Sequence, residues 1–291
     1  MTDRIGWVGL GGMGRPMAAN VARGGLPLTV CDLRPEPVAE LAGLGAAAAP
    51  DAAAVAAACE VLFVSLPDRA ASEAVAAAVF GSANRPEVYV ELSTLSPSTM
   101  RALAEQAAAT GVTFLDSPVS GNVRARTEGT LSVMVGGPAA GFERIRAVLD
   151  LIGGNVFHLG DVGAGSVAKI SNNLIALTSM MTAMEGLLLG IREGLDATVL
   201  RDVIMTASGA SPQVLGAAHM YRTRRYREST TPQAALRLAR KDLELALELA
   251  TECGLATPTA RAAHATWLDA ERAGLGEAEI WAMLDHLEQL R

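Results

Sequence analysis

Short apolar runs alternate with longer amphipathic stretches through the first half of the chain. The runs fall at 5–8, 28–31, 61–65, 88–91, 113–115, 131–135 and 156–158, and most end against a Gly, Pro, Ser or Asp. Runs of that length with such breakers predict β-strands. Between them the spacing predicts helices over 13–23, 37–44, 51–58, 69–78, 97–109 and 138–149. Asp51 and Ser96 serve as N-caps, and Pro97 sits in a first turn. The strands are apolar throughout instead of alternating with polar residues. That predicts a parallel sheet covered by helices on both faces, with ligands outside the carboxyl ends of the strands.

After Gly165 the strand signal stops. A long helix is predicted over 166–193 with Gly194 as its stop, then helices over 196–206, 232–253, 258–273 and 277–290. Leu243, Ala246, Leu247 and Ala250 recur at helical spacing in the third of these five. The boundary falls near 161–165, so the chain divides into an α/β domain over 1–162 and an all-α domain over 163–291, joined by the long helix. The most apolar long stretch, 174–191, carries Glu185 and two glycines and reads as a buried helix and not a membrane span. The alanine run at 46–49 reads as helix or loop filler, and there is no internal repeat at solenoid period.

Composition narrows the function. With 291 residues, half of them hydrophobic, a sizeable core and two domains are expected. A net charge of −7 excludes a dominant basic surface and argues against nucleic acid as a partner. The local cluster YRTRRYR at 221–227 reads as a solvated helix end or turn. The cysteines, Cys31, Cys59 and Cys253, are far apart with no CxxC spacing, so neither a disulfide framework nor a zinc site is expected. His158, His219, His264 and His286 are scattered, and no metal is expected. The first residues run straight into a strand pattern without a charged-then-apolar leader, which makes a cytoplasmic, membrane-free protein the expectation.

Three stretches carry chemistry. Gly9-Leu10-Gly11-Gly12-Met13-Gly14 is a G-x-G-x-x-G between strand and helix. Its glycines permit a tight turn, close approach of a pyrophosphate and close helix–strand packing, with helix N–H groups receiving the phosphates. Asp32 closes the next strand roughly 20 residues on, where a carboxylate accepts from both ribose hydroxyls of NAD. A 2′-phosphate would be repelled there, so NAD is preferred, while Arg34 leaves NADP open. Leu66-Pro67, Ser93-Thr94 and 116–122 also fall at carboxyl ends of strands. In the last, Ser120-Gly121 could hold a carboxylate, although spacing alone favours an ordinary Ser-Gly turn. Arg124 and Arg126 could add charge for an anionic substrate or face solvent.

The third stretch is GAGSVAKISNN at 163–173, where Lys169, Asn172 and Asn173 share one helical face. Three polar groups on an apolar helix are costly to bury, which points to the catalytic face of a dehydrogenase. The other reading is a lysine whose stem is buried and whose ammonium reaches solvent. Lys241-Asp242, taken alone, is a solvated pair.

Four motifs together, WVGLGGMGRPMAANV, DSPVSGNVRARTEGTLSVMVGG, GAGSVAKISNN and RKDLELALE, resemble the β-hydroxyacid dehydrogenases of the 3-hydroxyisobutyrate dehydrogenase family over nearly the whole chain. The resemblance implies a Rossmann domain followed by a helical domain that completes the site and forms homodimers or homotetramers. It implies dinucleotide binding by Gly9 to Gly14, Asp32, Leu66, Pro67, Thr94 and Lys241. Ser120, Gly121, Asn122 and Asn173 would hold a small carboxylate-bearing substrate, with Lys169 as the catalytic lysine. Ser120-Gly121 and Lys241 thereby acquire roles that spacing alone did not assign.

The implied reaction is reversible hydride transfer between nicotinamide C4 and the carbinol carbon of a 3-hydroxy acid, with Lys169 moving the proton. A lysine pKa of about 10.4 suits that poorly at neutral pH, so desolvation is expected to lower it. The chain departs from the family pattern at Asn122, where a second glycine is common, and at Arg124 and Arg126, where small residues are usual. It also lacks an aromatic residue between Thr230 and Lys241. An imine reductase on the same scaffold is a rival, opposed by a lysine in place of an acidic or phenolic donor. A noncatalytic dinucleotide-binding protein is another, opposed by the intact lysine–amide face.

Overall fold

The structure is a computed structural model that describes residues 3–228 and 234–290, so the predicted helix start at 232 lies outside it. The chain forms two compact units, Met1–Lys169 and Ile170–Arg291. In the first, the order is β1 (Ile5–Val8), α1 (Gly14–Arg23), β2 (Leu28–Cys31), α2 (Pro35–Ala42), β3 (Ala47–Ala48), α3 (Ala52–Ala57), β4 (Val61–Val64) and α4 (Arg69–Phe80). It continues through β5 (Val88–Glu91), α5 (Pro97–Ala108), β6 (Thr113–Asp116), β7 (Val119–Ser120), α6 (Val123–Glu128), β8 (Leu131–Val135), α7 (Ala139–Ile152) and β9 (Gly153–His158).

β1 to β6 form one parallel sheet in the order β3-β2-β1-β4-β5-β6. This is the doubly wound order, and its direction reverses between β1 and β4. Successive residues on one strand feed different cores, which is why the strands lack polar alternation. Val61 and Phe63 pack into the cluster with Trp7, Met17 and Leu149, whereas Leu62 and Val64 join Val55, Tyr89 and Met100. Trp7 stacks on Phe63 with ring centroids 5.3 Å apart, and Tyr89 stacks on Phe114 at 5.5 Å.

Two expectations are corrected here. Ala47 and Ala48, read as filler, are an edge strand that pairs with Thr29 and Val30. The strands at 131–135 and 156–158 do not extend the large sheet. They form a separate three-stranded sheet, β7-β8-β9, with β7 antiparallel and β9 parallel to β8. Leu131, Val133 and Val135 are buried and Ser132 and Met134 are not, so β8 is covered more fully on one face than the other. An antiparallel bridge between Asp116 and Gly136 links the two sheets.

α8 (Ala164–Arg192) leaves the first unit and enters the second, which continues with α9 (Ala197–Met205), α10 (Pro212–Thr223), α11 (Leu236–Glu252), α12 (Pro258–Ala270) and α13 (Met283–Gln289). By length and composition α8 could cross a membrane, and only 33% of its most apolar window is buried. The buried-helix reading therefore holds for one stripe. Leu177, Met181, Met184 and Leu188 pack against Leu243, Trp267 and Met283, whereas Ile175 and Leu189 are largely exposed.

The single helix predicted over 277–290 is broken. Ala278 O accepts from Leu236 N–H at 3.0 Å and Ile280 N–H donates to Ala234 O at 2.8 Å, pairing that cannot coexist with helical bonds. A short 3-10 turn, Ile280–Ala282, leads into α13 instead. The arginine cluster is a helix end, as read, and is tied by ion pairs. Arg224 and Arg227 bond Asp285, and Arg224 also bonds Glu288.

Candidate active site

The turn after β1 places the glycine loop at the reversal of strand order. Gly9 has φ +90°, and a Cβ on it would lie 2.2 Å from Ser65 O, so no other residue fits without moving β4. A Cβ on Gly14 would lie 2.0 Å from Gly9 O, whereas one on Gly11 would meet nothing within 4 Å. The loop is thus packed below and open above. α1 has no side-chain cap, which leaves its N-terminal turn to a ligand. These features fit a dinucleotide pyrophosphate.

Asp32, just beyond β2, is bonded into that loop. Its Oδ2 accepts from Leu10 N–H at 2.6 Å, and its Oδ1 accepts from the Arg34 amide at 2.9 Å and Nε at 3.2 Å. Arg34 Nη2 also donates to Leu10 O at 3.1 Å. Burial pushes the Asp32 carboxyl upward, but the Arg34 and Leu10 amides and the Arg34 guanidinium outweigh it and hold the group below its ordinary range. Arg34 is therefore paired to the Asp32 carboxylate.

The loops after β4 and β5 are joined by a residue that sequence reading placed near the site without a role. Ser93 Oγ accepts from Leu66 N–H at 2.8 Å, fixing Leu66-Pro67 against Ser93-Thr94. Ser93 is in turn held by Glu91, whose Oε1 accepts from its amide at 3.0 Å. Glu91 is fully buried, and burial pushes its carboxyl up to about 7 against the bonds from Ser93, Ser72 and Tyr89.

The third loop leaves β6 at Asp116 and returns through β7. A Cβ on Gly121 would lie 2.6 Å from Leu131 and 3.0 Å from Ala125, so the chain passes there only as glycine. Asn122, expected to present its side chain to a substrate carboxylate, instead caps α6: Oδ1 accepts from Ala125 N–H at 2.9 Å. Arg124 is a surface residue paired to Glu128. Arg126 turns the other way, with Nη1 3.6 Å from Met13 Sδ beside the start of α1.

Lys169 lies in the second turn of α8 and is partly buried. Asn173, one turn further, is 8% exposed and donates through Nδ2 to Asp242 Oδ2 at 2.8 Å. The other oxygen of Asp242 is 3.4 Å from Lys241 Nζ. The pair read as solvated thus ties Lys241 to Asn173, and Asn172 Nδ2 donates to Asn173 Oδ1 at 3.2 Å. Asp116 and Asp242 were not singled out from the sequence. The available signal was an acidic residue at a strand end in one case, and one beside an expected site lysine in the other.

Comparison with known proteins gives consistent matches. Residues 4–160 match the family described as the NAD binding domain of 6-phosphogluconate dehydrogenase. Residues 163–287 match the family described as NAD-binding of NADP-dependent 3-hydroxyisobutyrate dehydrogenase. The chain is 40% identical to 3-hydroxyisobutyrate dehydrogenase of Pseudomonas aeruginosa, covering 96% of this chain and 97% of that protein. It is 34% identical to 2-(hydroxymethyl)glutarate dehydrogenase of Eubacterium barkeri, over 99% and 95% of the two chains. Among solved structures, 3-hydroxyisobutyrate dehydrogenase of Mycobacterium tuberculosis with L-serine superposes with a TM-score of 0.85 at 28% identity, covering 99% of each chain.

Proposed function

The chain belongs to the β-hydroxyacid dehydrogenase family, and from that premise we propose that it oxidises a small 3-hydroxy acid, or reduces its semialdehyde, with Lys169 as general acid and base. When bound, the nicotinamide dinucleotide supplies or accepts the hydride at C4. The residues of this chain do the rest. The Ser120 hydroxyl and the backbone at Gly121 and Asn122 hold the substrate carboxylate. Lys169 takes the hydroxyl proton in oxidation and returns it to the forming alkoxide in reduction, a contribution of about 10²–10⁴ in rate.

The dinucleotide is held by Gly9 to Gly14, Asp32, Leu66, Pro67 and Thr94. The observation that carries the reading is the position of Lys169 in the second turn of α8. The first turn of that helix is bonded to Asp116, the residue from which the Ser120 loop departs.

NAD is the preferred form. Supporting this, the Arg34 and Leu10 amides hold Asp32 in its anionic form, a charge that would repel a 2′-phosphate, and Arg34 is engaged by that same carboxylate. The substrate class is a 3-hydroxy carboxylate of the size of 3-hydroxyisobutyrate or a serine-like acid; the Mycobacterium relative was solved with L-serine, itself a 3-hydroxy acid. A panel of 3-hydroxy acids and semialdehydes, assayed with NAD and NADP, tests this. Turnover of at least one with higher kcat/KM for NAD is expected. Binding of NADH with no turnover of any of them refutes the activity, and higher kcat/KM with NADP refutes the cofactor preference.

A further inference from the structure

We propose that Asp116 is a positioning residue that fixes Lys169 relative to the Ser120-Gly121 loop by anchoring the first turn of α8. The proposal rests on the reading of Lys169 as the proton-transfer group. Asp116 is the last residue of β6 and has no exposed surface. Both of its carboxylate oxygens are spent on the helix start: Oδ1 accepts from Gly163 N–H and Oδ2 from Ser166 N–H, each at 2.7 Å. α8 has no cap of its own, because the residue before it, Gly163, has no side chain. An acceptor 47 residues away in sequence supplies the cap.

A buried carboxylate is costly unless its partners compensate it. Here two amide donors at the positive end of a helix offset part of that cost, and the contact is directional. Burial pushes the Asp116 carboxyl upward, against the Gly163 and Ser166 amides and the nearby Arg101.

The surrounding backbone is shaped for the same contact. A Cβ on Gly165 would lie 2.2 Å from Met134 O and 3.0 Å from Asp116 Oδ2, and one on Gly136 would lie 2.4 Å from Asp116 Oδ1. Ser166, 1% exposed, adds a second anchor by donating Oγ–H to Leu95 O at 2.5 Å. From Ser166 to Lys169 the helix rises only about 4.5 Å, less than one turn. Any displacement of the first turn is therefore passed on to the lysine. On its other side Asp116 leads into the loop carrying Ser120 and Gly121. One carboxylate ties together the two segments whose separation sets the proton-transfer distance.

A double-mutant cycle tests the role. Asp116→Asn keeps the shape but turns one acceptor into a donor that faces an N–H. It is expected to lower kcat about 10²-fold, the effect of a misplacement of about 1 Å, while the Kd for reduced cofactor stays within about twofold. In a Lys169→Ala background it is expected to cause no further loss, because it acts through that lysine. Equal losses in both backgrounds, or wild-type kcat for folded Asp116→Asn, overturn the positioning role and leave the Lys169 reading standing. Wild-type kcat for Lys169→Ala overturns both. If Asp116→Asn does not fold, Asp116→Ser, which leaves no carboxylate to bridge the Gly163 and Ser166 amides, carries the cycle. A non-additive fall of about 10-fold supports the proposal, and an unchanged or additive kcat overturns it.

Discussion

Glu91 offers a prediction whose size follows from its surroundings. The carboxyl is fully buried at the end of β5, and burial raises it from an ordinary 4.5 to about 7. In the unfolded chain it ionises near its ordinary value, so between those two values the folded state binds the extra proton. Stability therefore falls as pH rises through this window: it is fully present below about 4.5 and lost as Glu91 ionises near 7. At about 1.4 kcal/mol per unit of separation, the loss is about 3 kcal/mol. For a unit of this size that corresponds to roughly 6–12 °C in Tm.

Glu91→Gln is neutral and retains an oxygen for the Ser93 amide, so it lacks this dependence. Thermal melts of wild type and Glu91→Gln in parallel from pH 4.5 to 8.5 isolate the group, because the other ionisations are shared. The expected result is a Tm difference that moves in favour of the variant by roughly 6–12 °C across the range. A difference that stays constant with pH refutes the assignment of a raised, buried carboxyl to Glu91. Because Ser93 Oγ also holds the Leu66 amide, the ionisation bears on the loops at the carboxyl ends of β4 and β5.

Two further predictions concern the dinucleotide loop. Gly9→Ala places a Cβ 2.2 Å from Ser65 O at φ +90° and is expected to weaken reduced-cofactor binding by more than about 10²-fold in a fluorescence titration; native affinity would contradict the packing account. Asp32→Ser removes a charged acceptor and is expected to lower kcat/KM with NAD by about 10–10²-fold and to raise the NADP/NAD ratio, read from initial rates; an unchanged ratio would mean the carboxylate does not read the ribose.

The parts of this protein that were legible in its sequence are those specified locally. The β1–loop–α1–β2 unit is announced by an apolar run, three spaced glycines and an acidic strand end, all within about 30 residues. The doubly wound order follows once strands and helices alternate and crossovers are right-handed. What could not be read depends on distant partners. β3 is two alanines, a residue of low strand preference, and exists because β2 has an edge to pair. β8 looked like a member of the large sheet because Met134 on its less buried face is apolar too. Asn122 kept the sequence signature of a helix cap, but α6 is only six residues long and too short to announce itself.

The site shows the same division. Lys169 and Asn173 were visible as a polar face on an apolar helix, because i and i+4 positions lie on one side. Asp116 and Asp242 were not, because their partners lie 47, 50 and 69 residues away in sequence. The groups proposed to meet a substrate are marked by residue type, and the groups bonded to their helix or side chain are marked only by contact.

The central claim is that Lys169 moves the proton in hydroxy acid oxidation. It is tested most directly by kcat for Lys169→Ala on the best 3-hydroxy acid of the panel, with cofactor Kd measured on the same preparation. The account predicts a fall in kcat of about 10²–10⁴-fold with cofactor Kd unchanged. A kcat within about threefold of wild type, where no proton-transfer contribution has been lost, would contradict it.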